Sequence, residues 1–249
     1  LSPIADPWFY ACAVPAVLLL GVSKSGFGAG FGALAVPLMA LSVPVPQAAA
    51  ILLPVLALMD ALGLAAYWKV CDRRLLAWMV PFGLLGIVLG AFSFAHLSVN
   101  QVAGIVGLST LAFLALRLSG SALARRALPP SWGGPLAVTS GFTSFVAHAG
   151  GPPINAYLLP LGLPPVVFTA TLSVFFAVVN AAKWLPYAAL GLLDGRNLGT
   201  SLALLPLAPL GIWAGVRIVR RIDAVLFYRL IHLGMALTGL KLVADAWLR

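Results

Sequence analysis

The chain carries 15 Lys and Arg against six acids, and all six acids are aspartates: Asp6, Asp60, Asp72, Asp194, Asp223 and Asp245. With no glutamate anywhere, chemistry that needs a Glu base or a Glu ligand is excluded. Asp60 is the one acid set well inside a long apolar run, 47–68. Its two readings are a group that takes up and releases a proton and a structural partner in a hydrogen bond or ion pair. We expect the first and assign Asp60 to proton coupling. Lys183 follows Asn180 by three residues, so on a helix the two share a face, and Thr171 and Ser173 extend a polar strip along the same segment. A cation in that strip could hold an anion, or could reach out to an interface.

Two glycine-rich stretches add backbone donors. The first reads Ser23-Lys24-Ser25-Gly26-Phe27-Gly28-Ala29-Gly30-Phe31-Gly32, and the second reads His148-Ala149-Gly150-Gly151-Pro152-Pro153-Ile154-Asn155. Glycine permits close backbone approach, and N–H groups at the start of a following helix attract an anion. Proline fits a first helical turn, where no N–H is needed, so a helix starting near Pro152 would aim its positive end at the preceding loop. The expected anion-binding residues are therefore Lys24, Gly28, Gly30, Gly32, His148, Gly150, Gly151, Asn155, Thr171, Asn180 and Lys183. The bland alternatives are close helix packing for the glycines, snorkelling for Lys24 and a packed, hydrogen-bonded ring for His148. The Gly-Lys-Ser/Thr ending of a phosphate-binding loop is missing. Cys12 and Cys71 fall at different depths, and the three histidines are far apart, so no disulfide, metal site or cofactor is expected.

These residues must be held by membrane helices. Hydrophobic residues make up 62% of the 249 positions and charged residues 8%, where a soluble domain carries about 25% charged residues. Soluble enzyme, nucleic-acid-binding module and disordered chain are excluded, and the expected fold is an all-α polytopic membrane protein. Ten apolar segments are read: 7–23, 28–43, 47–68, 75–94, 99–118, 133–148, 152–163, 166–190, 198–217 and 224–247. The second, sixth and seventh are short and rich in Gly or Pro, which suits half-helices or re-entrant pieces as well as full spans. Asp60 lies 13 residues past Gln47, about 20 Å along a helix and so slightly beyond the bilayer centre. A carboxylate there costs about 2.5–3.5 kcal/mol on insertion scales.

The chain also repeats itself. Shifted by 120 residues, Gly30 meets Gly150, Pro44 meets Pro164, Leu52 meets Leu172, Asp60 meets Asn180 and Tyr67 meets Tyr187; shifted by 125, Pro81 meets Pro206, Gly86 meets Gly211 and Gly90 meets Gly215. The expected organisation is a first repeat over 1–120, a cytoplasmic linker over 121–132 and a second repeat over 133–249. Loop 69–74 is net +2 and its counterpart 191–197 net zero, whereas loop 95–98 is uncharged and its counterpart 217–223 is net +2. Positive loops face the cytoplasm. With five segments per repeat, the positive loops and the central stretch 117–131, with Arg117, Arg125 and Arg126, fall on one side. Both termini then lie on the non-cytoplasmic side and the repeats are inverted, an organisation typical of secondary transporters with a midplane site between the halves.

A glycine-rich break followed by a short apolar helix ending at Pro, once per half, resembles the TauE/SafE family of sulfite exporters. The resembling residues are Gly26 to Pro37, Gly141 to Pro160, the stretch Ala170-Thr171-Leu172-Ser173 and the run Asn180, Lys183, Tyr187, Gly191. The likeness covers about residues 12–245. Phe31 departs from it, standing where a further small residue is typical. The resemblance implies a transporter in the cell inner membrane that exports a small sulfur-containing anion such as sulfite or an organosulfonate. The expected partners are that anion, membrane lipid and a second copy in a homo-oligomer, with no nucleic acid. An anion channel is the nearer alternative. An intramembrane hydrolase built on Ser140, Ser144 and His148 is the more distant one, since no orienting acid and no strained nucleophile turn accompany them; no catalytic residue is expected.

Overall fold

The computed structural model describes residues 2–25, 32–93, 98–118, 128–219 and 221–247, and every regular element among them is helical. In chain order these are α1 (Pro7–Ser25), a 3₁₀ turn (Gly32–Leu34) leading into α2 (Ala35–Met39), α3 (Val45–Tyr67), α4 (Arg73–Ser93), α5 (Val99–Leu118) and α6 (Gly133–Ala147). There follow α7 (Gly151–Leu158), α8 (Pro165–Ala189), α9 (Gly195–Leu204), α10 (Leu207–Val219) and α11 (Ala224–Trp247). Helices α1, α3, α4 and α8 are each long and apolar enough to cross a bilayer, and α9 with α10 forms a fifth such unit bent by 47°. Large apolar side chains such as Leu185, Phe92 and Leu210 stand exposed, as lipid-facing side chains do. Trp8, Trp68, Trp78, Trp132, Trp184 and Trp247 are exposed as well, mostly near helix ends, where interfacial belts form. The chain is a multi-pass membrane protein.

Four of the ten apolar segments differ from a simple span, and one of them, 133–148, holds a helix of 15 residues, α6, about 22 Å long. Segment 28–43 contains a helix of only five residues, α2. Segment 152–163 contains one of eight, α7, which covers about 12 Å of a hydrocarbon core of about 30 Å. Neither crosses by itself. Segment 198–217, read as one span, is divided at Leu205–Pro206 into α9 and α10, because Pro206 lacks an N–H and crowds the turn before it.

Local chemistry explains where the helices begin. Pro44 and Pro164, repeat mates, precede α3 and α8 in extended conformation, the one proline's fixed φ allows. Four of the six aspartates hold helix starts. Asp6 accepts from the Trp8 amide, Asp72 from the amides of Arg74 and Leu75, Asp194 from Asn197 and Asp223 from Leu226. Each satisfies backbone donors the helix leaves unpaired. Ser98 and Gln101 exchange bonds at the start of α5, Gln101 N–H to Ser98 Oγ at 3.2 Å and Ser98 N–H to Gln101 Oε1 at 3.0 Å, a capping box. Asp245 pairs with Lys241 one turn earlier. Asp60 is thus the acid left over from capping and surface pairing.

Helices approach one another closely where glycines face backbone. A Cβ on Gly86 of α4 would lie 2.1 Å from the Val138 carbonyl oxygen of α6, and one on Gly141 would lie 2.0 Å from the Gly83 carbonyl oxygen. Across the molecule, a Cβ on Gly21 of α1 would lie 2.8 Å from Gly211 Cα of α10, and one on Gly211 would lie 3.1 Å from the Leu18 carbonyl oxygen. Gly107 of α5 and Gly239 of α11 make a third such crossing. At the centre α3 packs against α8. Gln47 near the start of α3 bonds Asn197 beyond the end of α8, and Asp72 beyond the end of α3 bonds Thr171 near the start of α8. The two central helices therefore run antiparallel. The packed apolar core, including Phe145, Phe168, Phe175, Met59 and Leu172, surrounds them.

Candidate functional site

The middle of the α3–α8 crossing is polar. Asp60 on α3 faces its repeat mate Asn180 on α8, and Asn180 Nδ2 donates to Asp60 Oδ2 at 2.9 Å. The other carboxylate oxygen pairs with Lys24 Nζ at 2.5 Å, both side chains being less than a tenth exposed. Asn180 Oδ1 accepts from Lys183 Nζ at 2.8 Å. Lys183 is fully buried, and its Nζ also donates to Ser144 Oγ at 2.7 Å and contacts His148 Nδ1 at 2.9 Å. His148 Nε2 lies 3.0 Å from the Ala49 carbonyl oxygen. A carbonyl only accepts, so Nε2 carries the ring proton, and Nδ1 offers its lone pair to Lys183. One network thereby joins α1, α3, α6 and α8.

Position follows from helix ends that stop inside the protein. α6 terminates at His148, which takes the left-handed conformation with φ 50°. That geometry costs a non-glycine residue about 1–2 kcal/mol, and the ring's two hydrogen bonds hold it there. The turn redirects the chain into α7, whose first residues are Gly151, Pro152 and Pro153. Ser140 Oγ donates to the Gly150 carbonyl at 2.6 Å and Thr143 Oγ1 to the Ala149 carbonyl at 3.1 Å, tying the turn back onto α6. A Cβ on Gly150 would lie 2.6 Å from the Ser140 carbonyl oxygen, so only glycine fits there. In the first half, the Gly32 amide donates to Ser23 Oγ at 2.8 Å. Tyr187, one turn past Lys183, donates to the Phe145 carbonyl at 2.6 Å and stacks edge-on against the Phe145 ring.

Beside this network lies a small cavity with an open mouth, lined among others by Lys24, Gly32, Ser144, His148, Gly151 and Asn180. With both lysines as ammonium, Asp60 as carboxylate and His148 neutral, the network carries one positive charge in excess. Lys24 lies at the cavity wall, and Lys183 stands behind the wall residues Ser144, His148 and Asn180, so an anion in the cavity would meet two lysines set against one aspartate.

Of the residues expected from sequence, Lys24, His148, Asn180, Lys183 and Asp60 come together in the network, and Gly32 and Gly151 line the cavity. Gly150 shapes the turn through its contacts with α6. Gly28 and Gly30 lie outside the described residues. Gly32 does not offer a free amide, since Ser23 takes it. Thr171 is not at the site. Twelve residues before Lys183 on α8, about 18 Å away along the axis, its hydroxyl accepts from the Asp72 amide and donates to the Val167 carbonyl, so its work is to seat the α3–α4 loop. Asn155 is fully buried on α7, and neither polar atom of its side chain has a partner; it is absent from the cavity lining. Ser144 belongs to the network as an acceptor for Lys183. Both ring nitrogens of His148 are engaged elsewhere, so the Ser–His pair that the hydrolase alternative requires is not formed. Ala49 was invisible to sequence reasoning because its contribution is a main-chain carbonyl.

Fold and site together define a helical membrane protein with a buried polar centre of two lysines and one aspartate between antiparallel central helices. The family model described as sulfite exporter TauE/SafE matches residues 13–242, nearly the whole chain. The chain belongs to the TauE/SafE family, whose members are membrane transporters of the sulfite and sulfonate type. No curated protein and no solved structure matches it.

Proposed function

We propose that this protein is a secondary transporter that exports a small sulfur-containing anion, sulfite or an organosulfonate, across the inner membrane by alternating access coupled to protons. The observation that carries the reading is the buried Lys24–Asp60–Asn180–Lys183 network, two lysines with one aspartate, beside an open cavity. Lys24 and Lys183 supply the charge that holds the anion, His148 and Asn180 position Lys183, and the start of α7 adds the positive end of a helix at Gly151. The family's description as a sulfite exporter supports the choice of a small sulfur-containing anion and of the outward direction.

Alternating access follows from two inverted repeats, 1–120 and 133–249, joined by the cytoplasmic linker 121–132. What supports the inversion is reciprocity of contact. Under a 120-residue shift Leu18 and Gly21 correspond to Val138 and Gly141, and under a 125-residue shift Gly86 corresponds to Gly211. Gly86 meets Val138 and Gly141, and Gly211 meets Leu18 and Gly21. The mates Asp60 and Asn180 touch each other where α3 and α8 cross in opposite directions. These three relations are what a two-fold axis in the membrane plane through that crossing would generate, and such an axis supports a site at the midplane. With the positive loops inside, both termini lie outside; labelling of a single C-terminal cysteine from the cytoplasmic side alone would reject that orientation.

The test is transport of radiolabelled sulfite, thiosulfate and a small sulfonate into proteoliposomes, with and without an imposed proton gradient. Saturable transport of one of them that responds to the gradient is the expected result. Unsaturable, ungated current would make the protein a channel, and transport of none of them by folded protein would overturn the assignment.

A further inference from the structure

We propose that Lys183 is the group that takes up and releases the coupling proton, and that the anion binds while Lys183 is charged. The inference rests on the transporter reading above and deepens it. The sequence points to Asp60 for this role, as the one acid inside an apolar run. The geometry favours its neighbour across Asn180.

Asp60 has a partner on each of its two carboxylate oxygens. Lys24 Nζ sits 2.5 Å from one oxygen and Asn180 Nδ2 donates to the other at 2.9 Å. Protonating Asp60 would leave the Lys24 ammonium without its counter-charge in a buried place, the situation that makes half-removed ion pairs costly.

Lys183 is held differently. Its three partners, Ser144 Oγ, His148 Nδ1 and Asn180 Oδ1, are all neutral. They also satisfy both of its protonation states without moving a heavy atom. As ammonium, Nζ donates three hydrogen bonds, one to each. As amine, it keeps two donors and gains a lone pair. His148 Nδ1 must accept, because Nε2 donates to the Ala49 carbonyl. Asn180 Oδ1 must accept, because it is a carbonyl oxygen whose amide nitrogen serves Asp60. The third partner, Ser144, is a hydroxyl and can turn its hydrogen toward the amine. The change of state is a proton gained or lost plus the rotation of one O–H. Ser144, His148 and Asn180 line the cavity, so the proton has a path between Nζ and the cavity.

The titratable and charged groups facing Lys183 fit this division. They are Asp60 on α3, Lys24 on α1, His148 after α6 and, on α8 itself, Tyr187, whose hydroxyl is committed to the Phe145 carbonyl. On α4, which also packs against α8, the charged residues are Arg73 and Arg74, exposed at the helix start. Nothing among these competes to neutralise Lys183. With the amine neutral, Lys24 and Asp60 cancel and the empty site carries no net charge. With the ammonium, the site carries one positive charge, which a bound anion balances. Each transported anion then travels with one proton drawn from the water on one side and released on the other, and neither species crosses the apolar interior uncompensated.

The test is isothermal titration calorimetry of the purified full chain with thiosulfate and methanesulfonate, strong-acid anions that carry no titratable proton of their own near neutrality. Titrations in two buffers of different ionisation enthalpy give the protons taken up per anion. For wild-type protein we expect about one proton per anion on the alkaline side, with affinity falling about tenfold per pH unit there. Lys183→Arg keeps the charge and cannot release the proton, so it should bind with no proton uptake and a flat pH profile. Lys183→Gln fixes the neutral state, and its affinity should fall at least about tenfold and lose its pH dependence. If the arginine variant does not fold, the glutamine variant decides. Wild-type binding without proton uptake, or wild-type-like uptake in either variant, would overturn the role of Lys183 and leave the anion site standing. Binding of neither probe at any pH would overturn the site and the proton role together.

Discussion

Replacing Lys24 and Asp60 singly and together tests the electrostatic core of the site. The two groups are 2.5 Å apart, with side chains 9% and 7% exposed. Lys24→Met leaves the Asp60 carboxylate with only the Asn180 amide, and Asp60→Leu leaves the Lys24 ammonium facing an apolar side chain. Each single change should cost about 3–5 kcal/mol, because an uncompensated charge stays buried. Lys24→Met with Asp60→Leu removes both charges. What persists is the unpaired Asn180 Nδ2, worth about 1–3 kcal/mol, since replacing a whole buried pair by apolar groups is often close to neutral. The double variant should therefore fall short of the sum of the singles by at least about 3 kcal/mol, well above the usual additivity error of about 0.5 kcal/mol. Reversible unfolding in mixed detergent micelles, followed by far-ultraviolet circular dichroism, measures all four corners of the cycle. Additive losses would refute the pairing and with it the count of one excess positive charge.

Other expectations follow from single contacts. His148→Gly should be more stable than His148→Ala by about 1 kcal/mol, because φ is 50° there and glycine tolerates that conformation; both should unfold more readily than wild type in the same assay. Gly86→Ala should destabilise more than Gly211→Ala, since the added carbon comes within 2.1 Å of backbone at the first and 3.0 Å at the second; equal losses would argue against rigid crossings. Tyr187→Phe removes the hydroxyl's bond to the Phe145 carbonyl, a loss of about 0.5–1.5 kcal/mol, which the shift of the unfolding midpoint should report. Asp194→Ala should cost about 0.5–2 kcal/mol through loss of the α9 cap without altering the affinity for a small sulfonate.

The class of the protein was written in its composition, because a chain with 21 charges in 249 residues cannot cover a water-facing surface. Most helix limits were legible too, since apolar runs end where Pro, Asp and Ser can cap or start a helix: α3 at Pro44, α4 at Asp72, α8 at Pro164. The break between α9 and α10 was not, because Pro206 in an apolar run reads as a kinked span until the bend is seen. Asp60 and Lys183 stood out as ionisable residues in apolar sequence, and Asn180 through its pairing with Asp60 across the repeat.

Only the folded chain decided what these residues do to one another. Sequence spacing put Lys183 and Asn180 on one face but said nothing of Lys24, 36 residues before Asp60, reaching the other carboxylate oxygen. It gave Thr171 the same polar strip as Lys183, whereas the length of α8 carries Thr171 to the loop at Asp72. It could not give His148 its tautomer, which depends on the Ala49 carbonyl 99 residues away. Composition and periodicity act locally along the chain, so they fix class and elements. Charge balance in a low-dielectric interior depends on which side chains meet across helices, and that is settled by close packing at Gly21, Gly86, Gly141 and Gly211.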